Sequence, residues 1–245
     1  MIFNALEKKR RKLKTLSFAL IDPDSKNDIK LPEMLENINK AKFDAILVGG
    51  SSIEDNRFQE RIDFIKKTTN LPLILFPGDS TQISKRADAV LFISLLSGRN
   101  PKFLIEEQVK SSFYIYKHSL EVIPTGYILL KTDKKSSVEI VSQTTPLPMD
   151  NIDLILSHAL AAEYLGKKLL FLETGSNSNY PVNEKLIKEI SNVSEIPLIV
   201  GGGIKKQEDA EKIARAGASY IVIGSLIEES TDYYELLDIN NAIHS

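Results

Sequence analysis

The 245-residue chain contains no cysteine. That excludes disulfides, iron–sulfur clusters and zinc–thiolate centres, and it fits a reducing cytosol. Long apolar runs are missing as well: no stretch approaches the roughly 18 residues that span a bilayer. Near the start, Leu13, Leu16 and Phe18 are interrupted by Lys12, Lys14 and Thr15. They do not form the apolar core of a signal peptide, and a cytoplasmic location is expected. Charge of one sign is also scarce. The formal net charge is −2 and no aromatic-rich basic motif occurs, which argues against nucleic acid as a partner. One local exception is Lys8, Lys9, Arg10, Arg11, Lys12 and Lys14. Two readings of it stay open: the solvated face of a first helix, or a transient contact with an anionic membrane surface.

Histidine is limited to three residues. His118 ends a helical segment, His158 sits inside one, and His244 falls in a tail expected to fray. No His-x-His or His-x-x-x-His pair is present, which disfavours a zinc or iron site. A Ser-His-Asp triad would lack its nucleophile elbow.

What remains is an ordinary globular composition, 42% hydrophobic and 26% charged, in a chain long enough to bury a large core. Short runs rich in Val, Ile, Leu and Phe alternate with amphipathic stretches from end to end. The runs 17–21, 45–48, 73–76, 89–93, 122–130, 168–173, 198–200 and 220–223 predict eight strands, several apolar enough to be covered on both faces. Between them, 31–42, 57–68, 102–117, 152–165, 183–193 and 206–216 space apolar residues three or four apart and predict helices. Pro32 and Pro181 mark helix starts, and Gly166 and Gly217 mark helix ends. The segment 79–85 admits only a short helix, and 131–150 reads as a polar loop. With no composition break, the pattern predicts one domain over 1–245, a closed (βα)₈ barrel, with an open doubly wound sheet as the alternative.

In such a barrel the functional residues lie on the loops that follow the strands. Val200-Gly201-Gly202-Gly203-Ile204 leaves the seventh strand and Ile223-Gly224-Ser225 the eighth. Glycines there let backbone N–H groups approach an anion, and these two loops are the recurrent phosphate position of the fold; tight turns are the plainer alternative. Asp22-Pro23-Asp24 follows the first strand, beside Gly49-Gly50-Ser51-Ser52 after the second. A carboxylate next to hydroxyls suits Mg²⁺, although Asp-Pro-Asp is also common turn chemistry. Glu173 closes the sixth strand, pointing either to a general base or to a structural carboxylate.

The ordered motifs LIDPD (20–24), DAILVGGSS (44–52), LPLILFPGD (71–79), LLSGRNP (95–101), VIPTGYILL (122–130), FLETGS (171–176), GGGI (201–204) and VIGS (222–225) resemble the geranylgeranylglyceryl phosphate synthase family, which includes heptaprenylglyceryl phosphate synthases. The resemblance runs from about Leu16 to Ile227. It implies transfer of a prenyl group, most often from geranylgeranyl diphosphate, to sn-glycerol 1-phosphate, with an ether bond formed and diphosphate released. It also implies Mg²⁺ on Asp22 and Ser51. Glycerol phosphate would then contact Phe171, Leu172, Glu173, Thr174, Gly175, Ser176 and Asn177, together with Gly202, Gly203, Gly224 and Ser225. Glu173 takes the acidic position, where it would orient the acceptor hydroxyl and receive its proton. Two residues depart from the family pattern: Phe171 stands where many relatives have tyrosine, and Asn177 where many have glycine. The prenyl tail needs an apolar groove, for which Phe76, Leu95, Leu96, Tyr127 and Leu129 are candidates if they are not simply core. A homo-oligomer is expected. The competing readings are a sugar-phosphate isomerase or epimerase, which would need a second acid/base group facing Glu173, and a non-catalytic barrel that binds a phosphometabolite.

Overall fold

The computed structural model describes every residue except Ser52, Glu54, Asn177 and Thr231. Eight parallel strands, β1 (Leu16–Ile21), β2 (Ala45–Val48), β3 (Leu73–Leu75), β4 (Ala89–Leu95), β5 (Glu121–Leu129), β6 (Leu169–Glu173), β7 (Leu198–Gly201) and β8 (Tyr220–Ile223), close into a barrel in chain order. All eight strands expected from the sequence are present. Runs of apolar residues hidden on both faces suit a parallel sheet covered by helices, and the pairing of β1 with β8 closes it, so the open doubly wound alternative does not hold. β4 continues two residues further than its apolar run suggests, because Ser94 and Leu95 pair with Gly126 and Tyr127 of β5.

Side chains alternate between two layers. Leu16, Phe18, Leu47, Ile74, Leu91, Ile123, Phe171, Ile199 and Tyr220 fill the barrel interior. Ile46, Leu73, Val90, Leu170, Leu172, Val200 and Ile221 turn outward under the helices. Those helices are α1 (Ile2–Leu13), α2 (Leu31–Lys40), α3 (Phe58–Thr68), α4 (Glu107–Lys117), α5 (Ser137–Ser142), α6 (Ile152–Tyr164), α7 (Glu184–Val193), α8 (Gln207–Arg215), α9 (Ser225–Glu229) and α10 (Tyr233–Ile243). None is long and apolar enough to cross a membrane.

Four local expectations are corrected. The connection after β3 holds turns and no helix, since Pro77, Gly78 and a polar run leave no apolar stripe to bury there. The polar loop 131–150 contains α5, capped by Ser136, whose side chain accepts from the Glu139 N–H at 3.1 Å. The segment 102–117 begins as a π-helical turn, Lys102–Glu106, before becoming α4. The tail does not fray: α10 packs on α2 and α8, and His244 Nε2 lies 2.8 Å from the buried Asp44 carboxylate.

The open reading of the basic stretch is narrowed by position. α1 seals the lower end of the barrel, where Leu6 packs under Leu16, Phe18 and Tyr220. The Phe3 N–H donates to Glu121, the first residue of β5, at 3.0 Å. Lys9 is paired with Asp44 at 2.5 Å and Arg10 with Glu7 at 2.7 Å. The stretch therefore flanks the closed end, away from the loops that follow the strands.

Candidate active site

Strand alternation decides which loop residues reach the mouth. Leu169, Phe171 and Glu173 of β6 share the inward face, and the same count along β1 carries Leu16 and Phe18 to Asp22. Both carboxylates line one cavity of about 590 Å³ at the upper end of the barrel.

Glu173 is 7% exposed. Burial pushes its carboxyl up to about 7, opposed by the Gly175 N–H, which donates to Oε1 at 2.6 Å. The space around it is made by glycine. A Cβ on Gly202 would come within 2.4 Å of Glu173 Oε1, and the φ of 86° there is one that side chains rarely adopt. A Cβ on Gly201 would meet both Glu173 and the Phe171 ring. The triplet thus has an internal purpose that a phosphate-cradle reading alone overlooks. Gly202 and Gly203 also line the cavity, as do Gly175, Ser176, Gly224 and Ser225. Ser225 Oγ donates to the Ser176 carbonyl at 3.1 Å, joining the sixth loop to the eighth.

On another wall lies Asp22, whose carboxyl is pushed up by burial and drawn back by Lys26, 3.2 Å away. Asp22 Oδ1 is buried and has no hydrogen-bond partner among the described residues. A Cβ on Gly50 would stand 2.5 Å from that oxygen, so the glycine leaves room beside it. Ser51 lines the same cavity. Among the described residues no three His, Cys, Asp or Glu side chains converge into a metal cluster. The protein therefore offers one orphaned carboxylate oxygen and a hydroxyl. That donor set fits Mg²⁺, which commonly takes one or two carboxylates and completes its octahedron with water and substrate phosphate. Asn27 braces this wall through its Nδ2, which donates to the Asp22 carbonyl at 2.9 Å and to Glu228 at 3.0 Å.

Three expected contacts do not reach the cavity. Leu172 points outward beneath the helices, because it has the opposite parity to Glu173. Phe171 is fully buried below the mouth, stacked on Phe76 at 5.0 Å between ring centroids. Thr174 is 1% exposed and its N–H donates to the Gly201 carbonyl at 3.2 Å. Asn177 lies outside the described residues.

Lys26, Lys134 and Lys205 also line the cavity, and the sequence reading assigned no role to any of them. Lys26 and Lys205 each follow a recognised motif within two residues, which is the signal that could have found them.

Of the groove candidates, Phe76, Leu95 and Tyr127 line the cavity. Leu129 belongs to the barrel interior, and Leu96 packs against the outer layer. The cavity extends instead along Leu91, Phe92 and Ile93 of β4 to Phe103 and Gln108, with Val138 and Val141 of α5 also facing it.

The PcrB family model matches residues 8–242. The chain belongs to the PcrB family. A geranylgeranylglyceryl phosphate synthase of Flavobacterium johnsoniae is 44% identical over 230 residues, covering 94% of each chain. The synthase of that name from Pyrococcus furiosus is 39% identical, covering 94% of this chain and 89% of its own. Among solved structures, (S)-3-O-geranylgeranylglyceryl phosphate synthase from Thermoplasma acidophilum, in complex with sn-glycerol-1-phosphate, superposes with a TM-score of 0.90. It is 37% identical, with 97% of each chain covered. The resemblance to geranylgeranylglyceryl phosphate synthases drawn from the sequence motifs is borne out by these relatives, and so is the barrel fold.

Proposed function

We propose that this PcrB-family chain is a prenyltransferase that joins the prenyl group of a prenyl diphosphate to sn-glycerol 1-phosphate and releases diphosphate. The observation that carries the proposal is that one continuous cavity joins the glycine loops and Glu173 to a long apolar flank, with Asp22 on the wall. A phosphosugar isomerase or a simple phosphate receptor has no use for that flank.

The glycine loops after β7 and β8 would bind the phosphate of the acceptor, with Lys205 contributing charge. Glu173 would hold the free hydroxyl and take its proton as the ether bond forms. A carboxyl near 7 is well matched to that task at neutral pH. The Tyr127 phenol, held protonated by burial and by the Glu173 charge, does not compete as a base. The apolar flank would bury the prenyl tail, each CH₂ contributing roughly 0.8 kcal/mol. Holding both reactants in one mouth supplies the orientation that a bimolecular reaction lacks. When bound by Asp22 and Ser51, Mg²⁺ would supply positive charge to the departing diphosphate. The exposed stripe of Val109, Phe113 and Tyr116 on α4 supports assembly of the chain as a homo-oligomer.

The direct test is incubation with sn-glycerol 1-phosphate, Mg²⁺ and prenyl diphosphates of graded length. The expected result is an acid-stable ether product made only when all three are present, with the geranylgeranyl donor among the best. Absence of product with every donor, from folded protein, would refute the proposal. Asp22→Asn is expected to abolish turnover while sn-glycerol 1-phosphate still binds; near-normal turnover at limiting Mg²⁺ would remove the metal assignment.

A further inference from the structure

The loops that carry Asp22 and Ser51 are tied together from behind by one buried arginine. Arg61 stands in the first turn of α3, and its side chain is 3% exposed. Its Nε and one Nη donate to the two carboxylate oxygens of Asp28, at 2.6 and 2.9 Å. Both Nη atoms donate to Asp55, at 2.7 and 2.6 Å. The remaining N–H donates to the Pro23 carbonyl at 2.8 Å. A guanidinium has five N–H donors, and these contacts use every one.

The partners are informative by position. Pro23 is the residue bonded to Asp22. Asp28 closes the turn Ser25–Asn27, which contains Lys26, the cation paired with Asp22. Asp55 lies four residues beyond Ser51. Neither Asp28 nor Asp55 lines the cavity. The planar fork of arginine thus grips both loops at fixed angles, behind the cavity rather than in its lining.

We propose that Arg61 is a positioning residue that sets the separation of the Asp22 carboxylate and the Ser51 hydroxyl. It thereby fixes the oxygen pair that would receive a divalent cation with its diphosphate. The inference rests on the role given above to Asp22 and Ser51. It requires both the geometry and the charge of the guanidinium, because three lysine donors cannot make five contacts in one plane.

The test uses Arg61→Met and Arg61→Lys, with Arg57→Ala and Asp22→Asn as references. Arg57 also touches both carboxylates: its N–H donates to Asp55 at 2.9 Å and its Nη1 to Asp28 at 2.8 Å. Its side chain is 56% exposed. Binding of Mn²⁺ in the presence of inorganic pyrophosphate is followed by electron paramagnetic resonance, and sn-glycerol 1-phosphate binding by calorimetry. Both Arg61 variants are expected to weaken Mn²⁺ binding by about tenfold or more, the scale typical of losing a residue that orients a metal ligand. Binding of glycerol phosphate should stay within about twofold, and Arg57→Ala should leave both nearly unchanged. If Arg61→Met does not fold, Arg61→Lys carries the comparison. Full recovery of Mn²⁺ binding in Arg61→Lys would overturn the proposal, as would equal losses for both ligands or equal damage from Arg57→Ala. If Asp22→Asn loses Mn²⁺ while the Arg61 variants keep it, only the role of Arg61 falls. If Asp22→Asn binds Mn²⁺ normally, the metal pair itself is wrong and the proposal falls with it.

Discussion

Replacing Glu173 with glutamine removes a charge while keeping shape, and the surroundings of this carboxyl set two opposite expectations. The first concerns stability. Burial raises the carboxyl from 4.5 to about 7, so the folded state holds a proton that the unfolded chain has already released. Between those values stability falls as pH rises, because the native protein binds more protons than the unfolded one. At about 1.4 kcal/mol per pH unit, the ionised side chain costs folding about 3 kcal/mol above pH 7. Glutamine escapes that cost and keeps an oxygen for the Gly175 N–H, the donor now 2.6 Å from Oε1. Isothermal denaturant unfolding at pH 5 and pH 8 should show Glu173→Gln gaining about 2–3 kcal/mol relative to the parent as pH rises. The second expectation concerns rate. A general base contributes roughly 10²–10⁴-fold, so kcat/KM should fall by at least about 100-fold. In the parent it should rise with pH up to about 7, and the variant should lose that limb. Any inflection left near pH 6 belongs to the substrate phosphate, whose second pKa is about 6. A variant that melts far below the parent at pH 8, yet turns over normally per folded molecule, would make Glu173 a scaffold residue and refute the reasoning.

The glycine loops separate steric need from ligand contact. Gly202→Ala puts a Cβ 2.4 Å from Glu173 Oε1 at a φ of 86°, and the positive φ alone costs roughly 1–2 kcal/mol; a lower melting temperature and weak glycerol phosphate binding are expected together. Gly224→Ala adds a Cβ in ordinary contact with Leu20, 3.5 Å away, so its stability should match the parent, and a calorimetric loss of phosphate binding would then report the ligand alone. An unchanged melting temperature for Gly202→Ala would contradict the packing argument. In the proposed function the phosphate loops and Glu173 would hold opposite ends of a chiral acceptor, so sn-glycerol 1-phosphate should be used in preference to the 3-phosphate, and equal kcat/KM for the two would dismiss that arrangement.

Eight strands were legible because their residues are apolar on both faces, and no flexible loop has that composition. Once each strand's last residue was known, a period of two carried Glu173 and Asp22 inward, and it carried Leu172 outward. Leu172, Phe171 and Thr174 went against the expectation drawn from family position; strand parity would have found Leu172, whereas the burial of the other two needed the folded barrel. The helical pattern was legible wherever a helix had a sheet to cover. It failed where polar composition disguised a short capped turn, as in α5, and at α10, whose apolar side is buried mainly against α2 and α8 and only in part against β1.

The sequence by itself determined the eight alternating units of the barrel and the loops after the strands on which the candidate residues stand. Local pattern and covalent order suffice for those, since each strand delivers its next residues to the same rim. Tertiary structure alone decided that Gly201 and Gly202 make room for Glu173, that Gly50 leaves space beside the buried Asp22 oxygen, and that the cavity runs along β4. It also decided that Arg61 ties two loops through Pro23, Asp28 and Asp55. Most of these are contacts or spaces between residues far apart in the chain, and none is set by local pattern alone. The burial that lifts the Glu173 carboxyl to about 7 exists only after the barrel has closed around it.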